Sequence, residues 1–344
     1  MNKTESRTLV ILNYAMDLQD SIFSHQVEAV IRLSPFFPKV VVVTSKSGEY
    51  QVPDNVTVKS SEWKRGRPIS NLLNLLRVCL PILRQNTVVF SHMTDVQSAI
   101  LSPITRILGI RHYLWYAHTS HSIYLRWANL WVNSVVTSTA GSCPITSHKV
   151  IAVGQAINPE IFSFNKRNGG KLVAGVHIGR LDQSKRIEML IQECEKIRHL
   201  GYPVTFCQIG SPSIKEFSNY QNLIQDKARN LKWVEIQNSI SRDKLPIILQ
   251  AKDFFIHAFD GSLDKSLVEA TMCGLPVLTT NKEYLREIGS WTGDLSSTLS
   301  EQYLFLTRMN RGKLQDELVR RQKLCLEFHS ISHWQSELSQ LLRA

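Results

Sequence analysis

Three stretches of this chain concentrate side chains that can do chemistry. The first is His177-Ile-Gly-Arg-Leu-Asp-Gln-Ser-Lys185, directly after the apolar run Leu172–Ile178. Gly179 lets the chain turn sharply and approach a ligand closely. Arg180 and Lys185 then bring two cations to the start of a helical segment, and cations beside helix-terminal amides suit a diphosphate. Two solvated charges at a helix start would have the same spacing. The second stretch runs from Asp253 to Val277. A buried strand leads into the loop Gly261-Ser-Leu-Asp-Lys265, then a short helix, a stop at Gly274, and Pro276-Val277 opening a further strand. The amides of that loop, Ser262 and Lys265 can hold a phosphate. Glu269, one helical turn on, can accept hydrogen bonds from sugar hydroxyls. Ser262 and Asp264 as plain helix caps with Glu269 in solvent is the competing reading. The third stretch, Trp63 to Arg84, is a basic cluster (Lys64, Arg65, Arg67) running into an apolar helix that breaks near Pro81. It reads either as a helix resting on an anionic membrane, with Trp63 at the interface, or as a covering helix with a solvated basic loop.

The elements that must position these groups alternate. Thr8–Leu12, Lys39–Thr44, Thr87–Phe90, Tyr113–Ala117, Val135–Thr137 and Val150–Val153 read as strands, with a helix over Phe23–Leu33. After a linker over Gly154–Gly170 a second series begins. It has strands at Leu172–Ile178, Val204–Ile209, Asp253–Phe259 and Pro276–Thr279, and helices at Lys185–Leu200 and Ser266–Cys273. Apolar runs without in/out alternation imply parallel sheets covered on both faces. The expected architecture is α/β: two Rossmann-like doubly wound domains facing across a cleft, with ligands beyond the carboxyl ends of the strands. Residues 1–158 and 159–320 are read as the two domains, and 321–344 as a C-terminal helix packing back on the first.

Composition bounds the function. The 344 residues fit about two domains, and 43% apolar with 20% charged residues excludes a disordered, collagenous or coiled-coil chain. No apolar run of about 18 residues predicts a spanning helix. The polar Met1–Arg7 and the short run Thr8–Leu12 do not form a secretory signal, so a cytoplasmic protein is expected. The six cysteines lack metal or redox spacing. A net charge of +11 fits nucleic acid, an anionic membrane or phosphorylated substrates. Nucleic acid is disfavoured, because neither an aromatic-interleaved sheet nor a helix-turn-helix pattern accompanies the basic residues. No Gly-x-Gly-x-x-Gly occurs, which argues against a dinucleotide oxidoreductase.

Taken together, Gly179-Arg180-(four residues)-Lys185 and Glu269-Ala-Thr-Met-Cys-Gly-Leu-Pro-Val277 resemble the retaining glycosyltransferases of family 4, of GT-B fold. Gln155-Ala-Ile-Asn158 with Phe162, and His329-Ser-Ile-Ser-His-Trp334, extend the resemblance over most of the chain. It implies that Arg180 and Lys185 bind a donor diphosphate, that Glu269 binds the ribose, that Gly179 and Gly210 line the pocket, and that Gln237–Ile240 lie near the base. One departure stands out: the family's first Glu falls on Gly261. Asp260 or Asp264 can substitute for that carboxylate.

In the N-terminal half the resemblance directs attention to Tyr14 and Asp17 after the first strand, His25 at the next helix, and His118 after Tyr113–Ala117 as acceptor-side and catalytic groups. His92, His112 and His121 are read as structural. The implied internal-return mechanism has the leaving diphosphate take the acceptor proton, while the protein stabilises its growing charge. No Asp-x-Asp occurs, so no cofactor and no obligatory metal are expected. The expected function is transfer of a sugar from a UDP- or GDP-sugar to a glycan or lipid-linked acceptor in bacterial surface polysaccharide assembly, with possible contact to the inner face of the membrane. A sugar-nucleotide epimerase, or a non-catalytic glycan-binding or partner protein of the same fold, are the alternatives.

Overall fold

A computed structural model describes residues 7–20, 23–166, 171–212 and 218–344. Arg167, Asn168, Gly169 and Gly170 of the expected linker lie outside the described residues. The first sheet comprises β1 (Thr8–Met16), β2 (Lys39–Ser47), β3 (Val56–Ser60), β4 (Thr87–His92), β5 (Arg111–Trp115), β6 (Ser134–Thr137) and β7 (Val150–Ala152). Its order is β3-β2-β1-β4-β5-β6-β7, and every pairing is parallel. Helices α1 (His25–Leu33), α2 (Pro68–Cys79), α3 (Asp95–Ile107) and α4 (Ile123–Trp131) connect these strands. The second sheet holds β8 (Ala174–Ile178), β9 (Thr205–Ile209), β10 (Val234–Gln237), β11 (Phe254–His257) and β12 (Val277–Thr279), ordered β10-β9-β8-β11-β12 and again parallel. Its helices are α5 (Ile187–His199), α6 (Ser218–Arg229), α7 (Leu245–Gln250), α8 (Lys265–Met272) and α9 (Lys282–Glu287). Then follow α10 (Leu299–Arg308), α11 (Arg311–His329) and α12 (Ile331–Arg343).

Both sheets therefore reverse direction once, between β1 and β4 and between β8 and β11. Ligands of doubly wound sheets sit at such switch points. The strand candidates read from the sequence are all present. The sequence reading lacked β3 and β10, two of the four edge strands, whose mixed and partly exposed residues carry no buried apolar run. β1 is also longer than expected and takes in Tyr14, which is a strand residue rather than part of a loop.

The chain divides into two compact units, one reaching to Gly154 and including Trp334–Ala344, the other Gln155–His333. The division falls at Gly154 (φ 82°) and Ala156 (φ 57°), a left-handed stretch four residues before the boundary read at 158. It falls again inside α12, so residues 321–333 pack in the second unit. Within the first unit the Trp334 ring lies 6.0 Å from Trp115 and 6.5 Å from His92. Gln335 Nε2 there donates to the Arg32 carbonyl at 2.8 Å.

Apolar side chains fill both faces of the second sheet. Leu190, Ile191, Phe206, Phe254 and Tyr303 make one core, and Val176, Phe255, Leu267, Val268 and Cys325 the other. Each such buried side chain contributes about 1.5–3 kcal/mol. The second core fixes α8 against α11. Arg321 of α11 is buried, stacks 3.8 Å from the Trp291 ring centroid, and donates to the carbonyls of Gly289 and Ser290. All six cysteines are buried, and none forms a disulfide.

Candidate functional site

In the second unit the carboxyl ends of β8, β9 and β11 converge on one polar cluster. The backbone comes first. Gly210 has φ 146°, and a Cβ there would stand 2.0 Å from the Gly179 carbonyl oxygen. Gln208 Nε2 donates to that same carbonyl at 2.9 Å, and the Gly179 amide donates to Ile209 O at 3.0 Å. Two loops thus touch through glycines, a contact that a side chain at 210 would break. His177 lies beneath them. Its Nδ1 bonds the Ile256 carbonyl at 2.9 Å, which leaves Nε2 as an acceptor, buried and unpartnered. Burial pushes the ring's pKa down to about 3, with the neighbouring His257 adding to the shift.

Lys185 is not at the start of α5, as the spacing suggests, but in a 3₁₀ turn, Gln183–Lys185, capped by Asp182. It is buried. Its ammonium contacts Asp264 Oδ2 and lies 4.1 Å from the centroid of the Phe259 ring. His257 Nε2 meets the same carboxylate oxygen at 3.4 Å, while His257 Nδ1 faces Thr279 Oγ1 at 3.2 Å. Burial alone would raise the Asp264 carboxyl. Lys185 and His257 together outweigh it and hold it well below the usual carboxylate range. Burial lowers His257, against the pull of Asp264. Asp264 stands at the N-cap position of α8 but makes no side-chain cap bond, so its role is the ion pair rather than capping.

The loop that carries Asp264 is pinned from below. Asn281 Nδ2 donates to the carbonyls of Phe259 (2.9 Å), Gly261 (3.3 Å) and Ser262 (3.1 Å), and its Oδ1 accepts from the Tyr284 amide at 2.9 Å. Gln155 Nε2 bonds the Leu263 carbonyl. A Cβ at Gly261 would stand 2.1 Å from Phe259 Cζ. A carboxylate side chain at 261 would therefore displace the ring that covers Lys185.

Glu269 is buried, not solvated, and accepts from Arg242 at 2.6 Å; Arg242 also lies over the Phe162 ring at 5.3 Å. Arg180 is more exposed, with Nε 3.5 Å from Asp182 Oδ2. Asp260 is exposed and stands 3.7 Å from Lys282. Lys265 opens α8 and Ser262 is buried beside it. Ile240 packs against the core behind α8. Ser266 Oγ, in the first turn of α8, is buried without a partner. The structure thus gathers Gly179, Arg180, Lys185, Gly210, Asp264 and Glu269 at one end of one sheet. It adds His177, His257, Arg242 and Asn281, which the sequence reading missed. The signal for the two histidines was available: His177 is the last residue but one, and His257 the last, of adjacent buried strands.

The first-unit candidates are held more loosely. Tyr14 is 44% exposed and stacks on Phe23 at 4.9 Å. The Tyr14 and Ala15 amides both donate to Gln26 Oε1 at 3.0 Å. Asp17 shares Lys46 with Asp20, at 3.5 and 2.9 Å. The His25 ring stands 5.8 Å from His92. His118 Nδ1 accepts from the Ser120 amide at 3.0 Å and faces Ser120 Oγ at 2.6 Å, so the neutral ring carries its proton on Nε2. His112 is structural, bonded to Ser91 at 2.7 Å and Thr105 at 3.2 Å, and burial pushes it down to about 3. Lys64, Arg65 and Arg67 are exposed before α2. Trp63 is partly buried and packs against the core under α2.

Among the described residues no group of three or more His, Cys, Asp or Glu is arranged to hold a metal ion, and no helix is long and apolar enough to cross a membrane. No curated protein matches the chain in sequence. Residues 158–290 match the family described as Glycosyl transferases group 1, a segment that contains the whole second-unit cluster. Among solved structures, Anabaena HepE in complex with UDP and glucose superposes with a TM-score of 0.75 at 13% identity, covering 98% of this chain and 99% of that one. A structure titled trehalose-6-phosphate from E. coli bound with UDP-2-fluoro glucose gives 0.72 at 12%, covering 98% and 99%. TarM gives 0.72 at 10%, covering 100% of both chains. The chain shares with these structures the GT-B fold, two α/β domains each built on a parallel sheet.

Proposed function

We propose that this protein is a retaining glycosyltransferase that moves a hexose from a nucleoside diphosphate sugar to a glycan or lipid-linked acceptor. The observation that carries the reading is the cluster at the switch point of the second sheet. There Lys185 pairs with Asp264 at the α8 N-terminus, Gly179 and Gly210 touch at the ends of β8 and β9, and Glu269 is buried one helical turn further along α8. In this reading Arg180, Lys185, Lys265 and the α8 amides bind the diphosphate, Glu269 binds the ribose hydroxyls, and residues 237–240 border the base. The leaving diphosphate takes the acceptor proton, and the cations stabilise the charge that develops on it. His118, with its proton on Nε2, donates a hydrogen bond to the transferred sugar or the acceptor hydroxyl. Tyr14, Asp17 and His25 contribute to acceptor binding. Asp264, rather than Asp260, replaces the carboxylate missing at Gly261, because it is Asp264 that pairs with Lys185. These cations supply the charge a metal would otherwise supply, so turnover is expected to persist in EDTA.

HepE and the E. coli structure are described with uridine nucleotides. A UDP-sugar is accordingly the donor proposed first, and bacterial surface polysaccharide assembly the setting. The test is a thermal-shift panel with UDP, GDP, ADP, CMP and their sugar conjugates. A ligand that binds only the folded state raises the melting temperature by mass action. A shift with one nucleoside diphosphate supports the donor site. No shift at millimolar ligand overturns it and favours the non-catalytic alternative, for which Gly261 is the main support.

A further inference from the structure

Among the described residues, half of the large apolar side chains that stand exposed lie between residues 69 and 130. The same region is strongly basic: from Trp63 to Asn133 there are eight lysines and arginines and a single acid, Asp95. Asp95 is itself occupied, accepting from Ser122 Oγ at 2.6 Å. The fold puts these residues on one layer. The connections β3–α2–β4, β4–α3–β5 and β5–α4–β6 all step the same way across the sheet, so right-handed crossovers place the three helices on one face. The cores agree: Leu75 and Cys79 of α2 and Leu101 of α3 pack on Val10, Leu12 and Val89, while Leu125 and Ala128 of α4 pack on Leu114. Trp127 Nε1 of α4 bonds the Ala99 carbonyl of α3 at 3.1 Å, so these two helices adjoin.

The outer side of this layer is ridged. In α2 and just beyond it, Ile69 (74% exposed), Leu73 (60%) and Leu80 recur at intervals of four and seven, away from the buried Asn71, Leu75 and Cys79. In α4, Ile123 (76%), Trp127 and Leu130 (64%) repeat the pattern, opposite Leu125 and Ala128. Ile107, 82% exposed, ends α3 between them in sequence. Exposed arginines flank each ridge: Arg65, Arg67 and Arg77 at α2, Arg106 at α3 and Arg126 at α4. The basic loop is also fixed in place. The Asn71 side chain bonds both the amide and the carbonyl of Lys64, at 2.9 and 2.8 Å.

We infer that the outer side of the α2–α3–α4 layer docks on a membrane surface bearing anionic lipid headgroups. The apolar ridges enter the headgroup boundary and the arginines meet lipid phosphates. Charge complementarity selects this occupant. A second copy would present the same excess of positive charge and repel. The inference deepens the functional reading by bringing the protein to lipid-linked acceptors, and it shifts the anchor from Trp63 to the two helical ridges. It does not depend on the donor assignment.

The test is cosedimentation with phosphatidylcholine vesicles, with and without phosphatidylglycerol, at low and high salt. Binding is expected only with phosphatidylglycerol, and weaker at high salt. The triple change Arg65→Gln, Arg67→Gln, Arg77→Gln should weaken it about 100-fold, from about fivefold per cation. Ile123→Asp with Leu130→Asp, at exposed positions that leave the core intact, should weaken it at least about tenfold. Unchanged melting temperatures show that the variants fold. No sedimentation with phosphatidylglycerol, or variants that bind as the parent does, overturns the inference. A dimer in analytical ultracentrifugation that Ile123→Asp dissolves also overturns it, in favour of a second copy. Thermal shifts with UDP on the same samples separate the two readings. A shift without vesicle binding removes only the membrane face, and vesicle binding without a shift removes only the donor site.

Discussion

At the carboxyl ends of β8 and β11, Lys185 and His257 both meet the Asp264 carboxylate below the surface, with the His177 ring beside His257 and Glu269 bound to Arg242. The first unit has the same kind of switch point, yet two of its candidates are held by neutral bonds, His118 by Ser120 and the Tyr14 amide by Gln26, and its one ion-paired candidate, Asp17, meets an exposed lysine, Lys46. Its surplus charge lies instead on the outer helices. The contrast shows where each unit spends its charge. Buried ion pairs fix each other's geometry and leave cations already in place for an anion. Neutral groups on half-exposed loops can adapt to an acceptor.

Breaking the buried pair should have the largest effect. Lys185→Met leaves Asp264 without its cation, which costs about 3 kcal/mol of stability. It also removes a diphosphate donor, so kcat/KM should fall about 100–1000-fold. Denaturant melts and steady-state kinetics check both. Adding Asp264→Asn should restore part of the stability and none of the activity. Activity returning with stability would show Lys185 to be purely structural. Acid should separate the units next. His177 and His112 are held neutral to about 3, and His329 to about 4, all by burial. The unfolded chain takes up protons near pH 6.5, so their contribution is full above that and is lost as pH falls toward 3. Each ring costs up to roughly 1.4 kcal/mol per pH unit. The second unit has two of these three rings, together with His257 and the depressed Asp264, whose contribution is lost only below the ordinary carboxylate range. The transition that UDP stabilises should therefore fall faster than the other between pH 7 and 5. Parallel shifts would erase the contrast.

What the sequence shows of this site is what lies close along the chain. Gly179, Arg180 and Lys185 declare themselves by spacing within one turn, and Glu269 by its place before Gly274-Leu-Pro. What each of them touches is hidden, because the partners come from distant loops: Lys185 and Asp264 are 79 residues apart, Arg242 and Glu269 are 27 apart. The same limit applies to the fold. Central strands such as Lys39–Thr44 announce themselves as apolar runs. Of the four edge strands, β7 and β12 still show short apolar runs, whereas β3 and β10 mix polar and partly exposed residues and carry no pattern that exceeds a loop's. Gln183–Lys185 has helical composition, which suggests a helix start at Lys185; only the left-handed Arg186 (φ 52°) separates those residues from α5 as a 3₁₀ turn.

The first unit's part in the chemistry is the weaker effect and the sharper question. His118→Ala should lower kcat about 10–100-fold with unchanged affinity for UDP, as expected of a group that meets sugar or acceptor. Full activity in single-turnover assays would leave the ring a loop brace for Ser120. The smallest expected effect discriminates best within the second unit. Glu269→Gln should weaken UDP binding about tenfold, the cost of one charge-assisted hydrogen bond. Affinity for inorganic diphosphate, which has no ribose, should stay the same. If Glu269 serves only to brace Arg242 and the loop between β10 and α7, both affinities should fall together. Isothermal titration with the two ligands therefore tells a ribose contact from a structural ion pair, and does so without knowledge of the sugar or the acceptor.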